Sequence, residues 1–330
     1  MLNIIKPAFK NIKLRFSIDP LVEKTDDYRK FIPEPYKAAL IICADFELAW
    51  AWRFSTHIKS GSDEALGYAK RERKNIPVIL SLCDKYNVAI TWATVGHLFL
   101  GNCKRINGFA HSEIKQIKKF KNTYWNFDEN DWFVDDPCTD YKKSPEYYAP
   151  DLIELITKSK TKHEVACHTF SHINCSEQVC SNESFKAEMS ECVRLAKNVN
   201  IDLKSFVYPG NITGHKNLLT NFGITSFRTD NNNILGYPLE HKKGFWEFKS
   251  TTELVLNKNI SEKFSNEYYR NIINKALKTN TVCYLWFHPS ASLDFSEKIL
   301  KPLFEHICNN SDKLFISTSK NYSEWLNNHE

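Results

Sequence analysis

Glu164-Val165-Ala166-Cys167-His168-Thr169-Phe170-Ser171-His172 is the stretch on which the reading of this chain turns. Glu164 to Cys167 reads as a short buried strand. His168 and His172 follow it, four residues apart. On one helical turn both rings would point the same way, because side chains at i and i+4 share a face. Such a pair suits a single divalent metal held by ring nitrogens at about 2.0–2.1 Å. The pair would sit where a strand ends and a helix or loop begins, at the rim of an α/β fold. Two imidazoles alone make a weak site, so a third, anionic ligand is expected from elsewhere.

Outward from this stretch the chain repeats one rhythm. Residues 37–46 (KAALIICADF) form a continuous apolar run that ends in acid. This reads as a buried parallel strand with a carboxylate at its C-terminal end, where ligand sites of α/β folds collect. Residues 63–86 read as a helix capped by Ser62, with a break or kink expected at Pro77. Residues 88–100 hold the second strand. Further strands are expected at 205–208, 224–228, 245–252, 281–287 and 313–317. Helices are expected at 151–159, 182–198, 216–222 (closed by Gly223), 262–278 and 295–308, with a short one at the end. This alternation predicts a parallel sheet, open or closed into a barrel. No composition shift marks a second domain.

Residues 101–150 break the rhythm. They carry Tyr124, Trp125, Trp132, Phe133, Tyr141, Tyr147 and Tyr148, punctuated by prolines. Long irregular insertions in compact domains are often functional. These aromatics either stack on sugar rings or cover a small core of the insertion.

Composition narrows the classes. With 42% apolar and 25% charged residues, the 330-residue chain is of soluble globular type. A net charge of +5 without any run of five Lys or Arg argues against a nucleic-acid partner. The ten cysteines form no CxxC pair, which argues against a structural zinc knuckle. Cys167, Cys175 and Cys180 are minor candidates for extra metal ligands. Scattered thiols fit a reducing compartment. No secretory h-region and no 18-residue apolar run is present, so a cytoplasmic protein without a transmembrane segment is expected. The basic residues 1–20 read as a surface helix or leader, with weak peripheral membrane contact as the alternative.

Reactive side chains recur at strand ends: Asp45 and Glu47, then His168 and His172, then the Tyr208-Pro209-Gly210 turn, then His288. In a parallel barrel all such ends converge on one mouth.

From residue 37 onward the sequence resembles the polysaccharide deacetylase family, the carbohydrate esterases with a NodB-type homology domain. HTFSH (His168 to His172) resembles the family's H-S/T-x-x-H metal motif. Ala44-Asp45-Phe46-Glu47 stands where T-F-D-D is usual, closer to D-x-D or D-x-E variants. Phe206-Val207-Tyr208-Pro209-Gly210 is similar to R-x-P-Y/F-G, with Val207 in place of the arginine. Leu285-Trp286-Phe287-His288-Pro289 resembles the last motif, whose histidine is a general acid.

The resemblance implies a distorted (β/α)7 barrel spanning residues 37–330, with residues 1–36 as an N-terminal extension and the insertion at about 101–150. It implies metal-dependent removal of an N-acetyl group from an amino sugar. One divalent metal ion is implied, zinc first, with cobalt, nickel or iron as alternatives. Glu47, His168 and His172 would ligate it. Asp45 would take the proton of water, His288 would protonate the leaving amine, and the Gly210 backbone N–H would help hold the oxyanion. The exchange of the two acids' roles stays open. Arg228 is the candidate substitute for the missing arginine, and Glu247 or Asp230 the candidate that orients His288. The substrate would be a carbohydrate, nucleotide- or lipid-linked, used in building a surface glycan. The alternatives are a catalytically silent carbohydrate-binding protein and a metal-independent amidohydrolase acting on a purine-breakdown product.

Overall fold

Alternation along one strand sets the architecture. In the computed structural model, which describes residues 19–230, 233–257 and 259–329, β1 runs Ala38–Phe46 and is buried along its whole length. Its even-numbered residues, Ala38 to Phe46, face the layer of helices. Ala39, Ile41 and Cys43 face a second, inner cluster. A strand that is apolar on both faces is what a parallel sheet sheathed by helices requires.

The parallel strands close into a ring. β1 pairs with β2 (Thr91–Thr94), β2 with β3 (Glu164–Cys167), and β3 with β4 (Ser205–Val207). β4 pairs with β5 (Ser226–Thr229). β6 consists of two segments, Phe245–Lys249 and Thr252–Glu253. The first pairs with β5 and the second with β7 (Val282–Phe287). β7 returns to β1. The distorted (β/α)7 barrel is therefore present, closed by a strand that changes neighbour midway. β8 (Leu314–Ser317) wedges beside the first half of β1. Leu239–Lys242, absent from the sequence reading, pairs antiparallel with β6.

The helices follow the predicted rhythm. α1 (Asp63–Tyr86) begins where Ser62 accepts a hydrogen bond from the Ala65 N–H and ends at left-handed Asn87. Of the break or kink expected at Pro77, no break occurs: α1 is one 24-residue helix. Ile76, Ile79, Leu80 and Cys83 are buried on either side of the proline. At about 1.5–3 kcal/mol per buried side chain, their packing outweighs the ~3 kcal/mol cost of an internal proline. The others are α2 (Pro150–Lys158), α3 (Asn182–Asn198), the short α4 (Lys216–Leu219), α5 (Glu262–Thr279), α6 (Lys301–Cys308) and α7 (Ser319–Asn328). The stretch before α6 is a π-turn, Ser296–Leu300.

α7 closes one end of the barrel. Its Tyr322 and Leu326 enter the inner cluster. The Ser319 N–H bonds Thr91 Oγ1 and the Lys320 N–H bonds Glu164 Oε2, at the N-terminal ends of β2 and β3. At the opposite, C-terminal end a groove reaches His288 and Glu253.

Most insertion aromatics cover a local core. Trp132, Phe133, Tyr147 and Tyr148 are buried, and Phe54, Phe127 and Trp132 pack ring on ring at 4.8–4.9 Å. Tyr124, 68% exposed, is the exception. Residues 19–36 are tied to the barrel: Leu21–Val22 pairs with Ile234–Leu235, and Tyr322 donates to the Phe31 carbonyl at 2.6 Å. The membrane contact considered for residues 1–20 falls on residues that, save Asp19 and Pro20, lie outside the described ones.

Candidate active site

Asp45 and Glu47 continue the inner-face alternation of β1, so both carboxylates enter the open mouth. The chain then turns sharply, with Leu48 at φ 50°. Glu72 of α1 holds that turn by accepting the Glu47 and Leu48 N–H groups, each at 3.0 Å. Burial, with Glu47 nearby, pushes the Glu72 carboxyl up to about 8.

His168 and His172 do not lie on a helical turn. Thr169 and His172 have φ 57° and 56°, and the segment is a loop. The reason is competition for carbonyls. Those of Thr169 and Phe170 accept the Gly96 and His97 N–H groups at 2.8 Å instead of closing a helix. Gly96 is required there, since a Cβ would stand 3.0 Å from Phe170 Cα and closer still to Cys192 Sγ.

Loop geometry brings the rings together all the same. His168 Nε2 lies 2.9 Å and His172 Nε2 3.0 Å from the same oxygen, Glu47 Oε1. His168 Nδ1 lies 2.8 Å from the Val207 carbonyl. That partner fixes the proton on Nδ1 and turns the Nε2 lone pair inward. Two imidazoles and a carboxylate, all buried, thus present three donor atoms within 4.8 Å of one another. This N,N,O set fits a divalent metal and leaves positions open beside it.

Asp45 lies beside this set, with an oxygen within 4.8 Å of ligand atoms of Glu47 and His288, but an arginine holds it. Arg228 Nη1 and Nη2 donate to its Oδ1 and Oδ2 at 2.8 and 2.7 Å. Arg228 also reaches Asn211 Oδ1 at 3.3 Å and lies 4.6 Å from the Trp286 ring centre. Burial opposes the charge on Asp45, but Arg228 outweighs it and holds the carboxyl below its usual value. Val207, where the family motif has arginine, is register-paired with Arg228 across β4 and β5. The Arg228 guanidinium thus enters from the strand next to Val207, on the same face of the sheet.

His288, half-exposed at the end of β7, places Nε2 3.7 Å from Glu47 Oε2 and Nδ1 3.1 Å from Glu253 Oε1. Burial works against its cationic form, yet Glu47 and Glu253 raise it to about 10. The sequence reading named Glu247 or Asp230 for Glu253's place. Glu247 instead binds Thr229 Oγ1 and His241 Nε2, each at 2.6 Å, and Asp230 accepts from Ser250 Oγ. Only the neighbour switch inside β6 brings Glu253 alongside β7, and nothing local in the sequence signals it.

Gly210 lies on the Pro209–Asn211 turn at φ 57°, and a Cβ there would stand 3.1 Å from the Trp125 ring. Trp125 in turn lies 5.2 Å, ring to ring, from His172. Cys167, Cys175 and Cys180 are buried in the main core and outside the metal-capable groups among the described residues. From His288 and Glu253 a groove of about 1090 Å³ runs outward past Trp52, Tyr68, Arg71 and Leu256. Trp52 and Tyr68 stack at 4.1 Å and are partly exposed.

No protein-family model matches the chain. No curated protein matches it either. Solved structures do. A Mycobacterium smegmatis protein described as a polysaccharide deacetylase superposes with TM-score 0.62 at 14% identity, covering 94% of each chain. A Pseudomonas aeruginosa protein described likewise gives 0.61 at 10% identity, over 89% of this chain and 92% of the other. This chain has the polysaccharide-deacetylase fold. Puue allantoinase shares that fold, with TM-score 0.60, 10% identity and coverage of 89% and 92%. At such identities the deacetylase fold is the shared property, and the chemistry must be argued from the side chains at its mouth.

Proposed function

We propose that the chain is a metal-dependent carbohydrate N-deacetylase. The observation that carries this is the convergence of His168 Nε2 and His172 Nε2 on Glu47 Oε1, beside an Asp45 clamped by arginine. Glu47, His168 and His172 would hold one divalent ion, and two imidazoles with a carboxylate suit zinc. A bound ion would supply Lewis acidity, lowering the pKa of water and polarising the amide carbonyl.

The chain's own groups divide the proton work. Asp45 takes the proton of the attacking water, with Arg228 fixing its orientation. His288, at the head of the groove, gives a proton to the leaving amine. Glu47 and Glu253 together favour the protonated form of that histidine. The Gly210 N–H helps to hold the oxyanion.

The groove supports a sugar substrate, since the Trp52–Tyr68 wall suits the apolar face of a pyranose. Its charged lining is Asp63, Glu64, Glu253, Glu262 and Asp294 against Arg71, Lys298 and the protonated His288. A neutral N-acetylated glycan fits that balance better than a nucleotide- or lipid-linked sugar phosphate. A role in surface-glycan synthesis accords with this chemistry. The shared allantoinase fold supports a second reading, amide hydrolysis on a purine-breakdown product, which leaves the three converging donors without a purpose.

The test is acetate release from N-acetylhexosamine oligomers, nucleotide sugars and lipid-linked sugars by zinc- or cobalt-loaded protein. Release from neutral oligomers is expected, and His168→Ala should abolish it together with metal retention. A stable, metal-free protein that binds these sugars without releasing acetate would establish a silent carbohydrate-binding protein instead.

A further inference from the structure

A second constellation lies outside the active site. His97 sits on the 3-10 turn Gly96–Phe99 that follows β2. Cys103, His111 and Asp136 come from the insertion. Asp136 Oδ2 lies 3.0 Å from both His97 Nε2 and His111 Nε2, and these nitrogens are 3.1 Å apart. Cys103 Sγ lies 3.4 Å from the same oxygen. All four residues offer a ligand atom within 4.8 Å of the others. Ligands around a tetrahedral zinc, at about 2.0–2.3 Å from it, are separated by about 3.3–3.7 Å. The cluster is close to that size.

The surrounding bonds aim these atoms inward. His97 Nδ1 lies 3.1 Å from the Tyr147 carbonyl, which places its proton there and leaves Nε2 bare. Asp136 Oδ1 accepts the Cys138 N–H at 2.9 Å and the Tyr148 O–H at 3.1 Å, which leaves Oδ2 facing the imidazoles. A bare nitrogen lone pair and a carboxylate oxygen therefore meet at 3.0 Å in the core, with the His97 and Asp136 side chains fully shielded. Lone pairs converging in a dry site repel unless a proton or a metal cation lies among them, and this cluster has the donor set and size to take the metal.

We infer that His97, Cys103, His111 and Asp136 form a structural zinc site. Four protein ligands, of which Cys103 is partly exposed, leave no open position for substrate, which is the mark of a structural rather than a catalytic site. The ion would staple the insertion to the barrel. That staple bears on the active site, because the insertion carries Trp125 against His172 and Trp132, whose Nε1 donates to Ser171 Oγ at 2.8 Å. The irregular spacing of the four ligands hides them from a search for CxxC pairs.

The test uses the full chain grown with zinc or with cobalt. Thiolate ligation to Co(II) gives a near-ultraviolet charge-transfer band, and the Glu47–His168–His172 site contains no sulfur. Wild type should show that band and hold about two ions per chain. The double variant His168→Ala/His172→Ala should keep the band and about one ion. Cys103→Ser should lose the band. Absence of the band from cobalt-loaded wild type, or its persistence in Cys103→Ser, overturns the proposal. If Cys103→Ser does not fold, wild type and the double variant still decide. Should the active-site reading be the one at fault, wild type would hold about one ion and still show the band.

Discussion

Arg228 donates to both oxygens of Asp45, at 2.8 and 2.7 Å, from the β5 position register-paired with Val207 on β4. This pairing supports the proposed division of roles, Asp45 as base and Glu47 as ligand. Glu47 faces the imidazoles, while Asp45 faces the guanidinium. Asp45→Asn should therefore lower kcat by about 10²–10⁴-fold, the usual worth of a general base, with the metal retained. Glu47→Gln should instead strip the metal. Metal analysis beside steady-state kinetics checks both; loss of metal from Asp45→Asn would reverse the roles.

Arg228 and Asp45 are also both buried. Arg228→Met leaves a buried carboxylate without its partner, which should cost about 3–5 kcal/mol. Urea denaturation measures it. The double variant Arg228→Met/Asp45→Asn should lose less than the sum of the single variants, because the stranded charge is gone.

Glu253 should set the alkaline limit of activity. A carboxylate beside an imidazolium favours the charged form, so its removal lowers the histidine's pKa. Glu253→Gln should move the alkaline limb of the kcat profile to lower pH, and Glu247→Gln should leave it in place. An unmoved limb in Glu253→Gln would remove Glu253 from any positioning role.

Gly210→Ala adds a Cβ 3.1 Å from Trp125 at a residue with φ 57°. Left-handed backbone costs a non-glycine residue about 1–2 kcal/mol. The variant should lose about that much stability, and it should lose more in kcat than in KM, since the turn and Trp125 flank His172.

His163 supplies a pH effect on stability far from the mouth. Burial lowers it from 6.5 to about 4. Its Nδ1 accepts the Ile90 N–H at 3.0 Å, and its buried Nε2 has no hydrogen-bond partner. The folded state therefore holds the neutral ring while the unfolded chain gains a proton. The stability present above pH 6.5 should fall progressively as the pH drops to about 4, by about 2–3 kcal/mol at ~1.4 kcal/mol per pH unit. Thermal or urea melts of wild type and His163→Gln over this range should show a smaller acid loss in the variant.

Much of this molecule was legible in its residues. The apolar runs of β1 and β7 and the cap at Ser62 reflect local chemistry, and they stand where the pattern places them. The histidine pair, the acids and His288 come together because strand ends in a parallel barrel must share a mouth. Other features were hidden. Pro77 predicts a break or kink, and packing on both sides of it keeps the helix unbroken. The His168 loop was read as a possible helical turn because spacing shows nothing of carbonyls already committed to Gly96 and His97. Glu253 escaped because β6 changes partner within a few residues.

The sequence alone determined the alternation of strand and helix and the supply of metal-seeking side chains, because periodicity and residue chemistry act over a few positions. Only the tertiary structure decided which acid meets which base, that Arg228 meets Asp45 and that His97 joins three residues of the insertion. Those pairings depend on register and ring closure between segments far apart in the chain, and no local pattern encodes a distance between them.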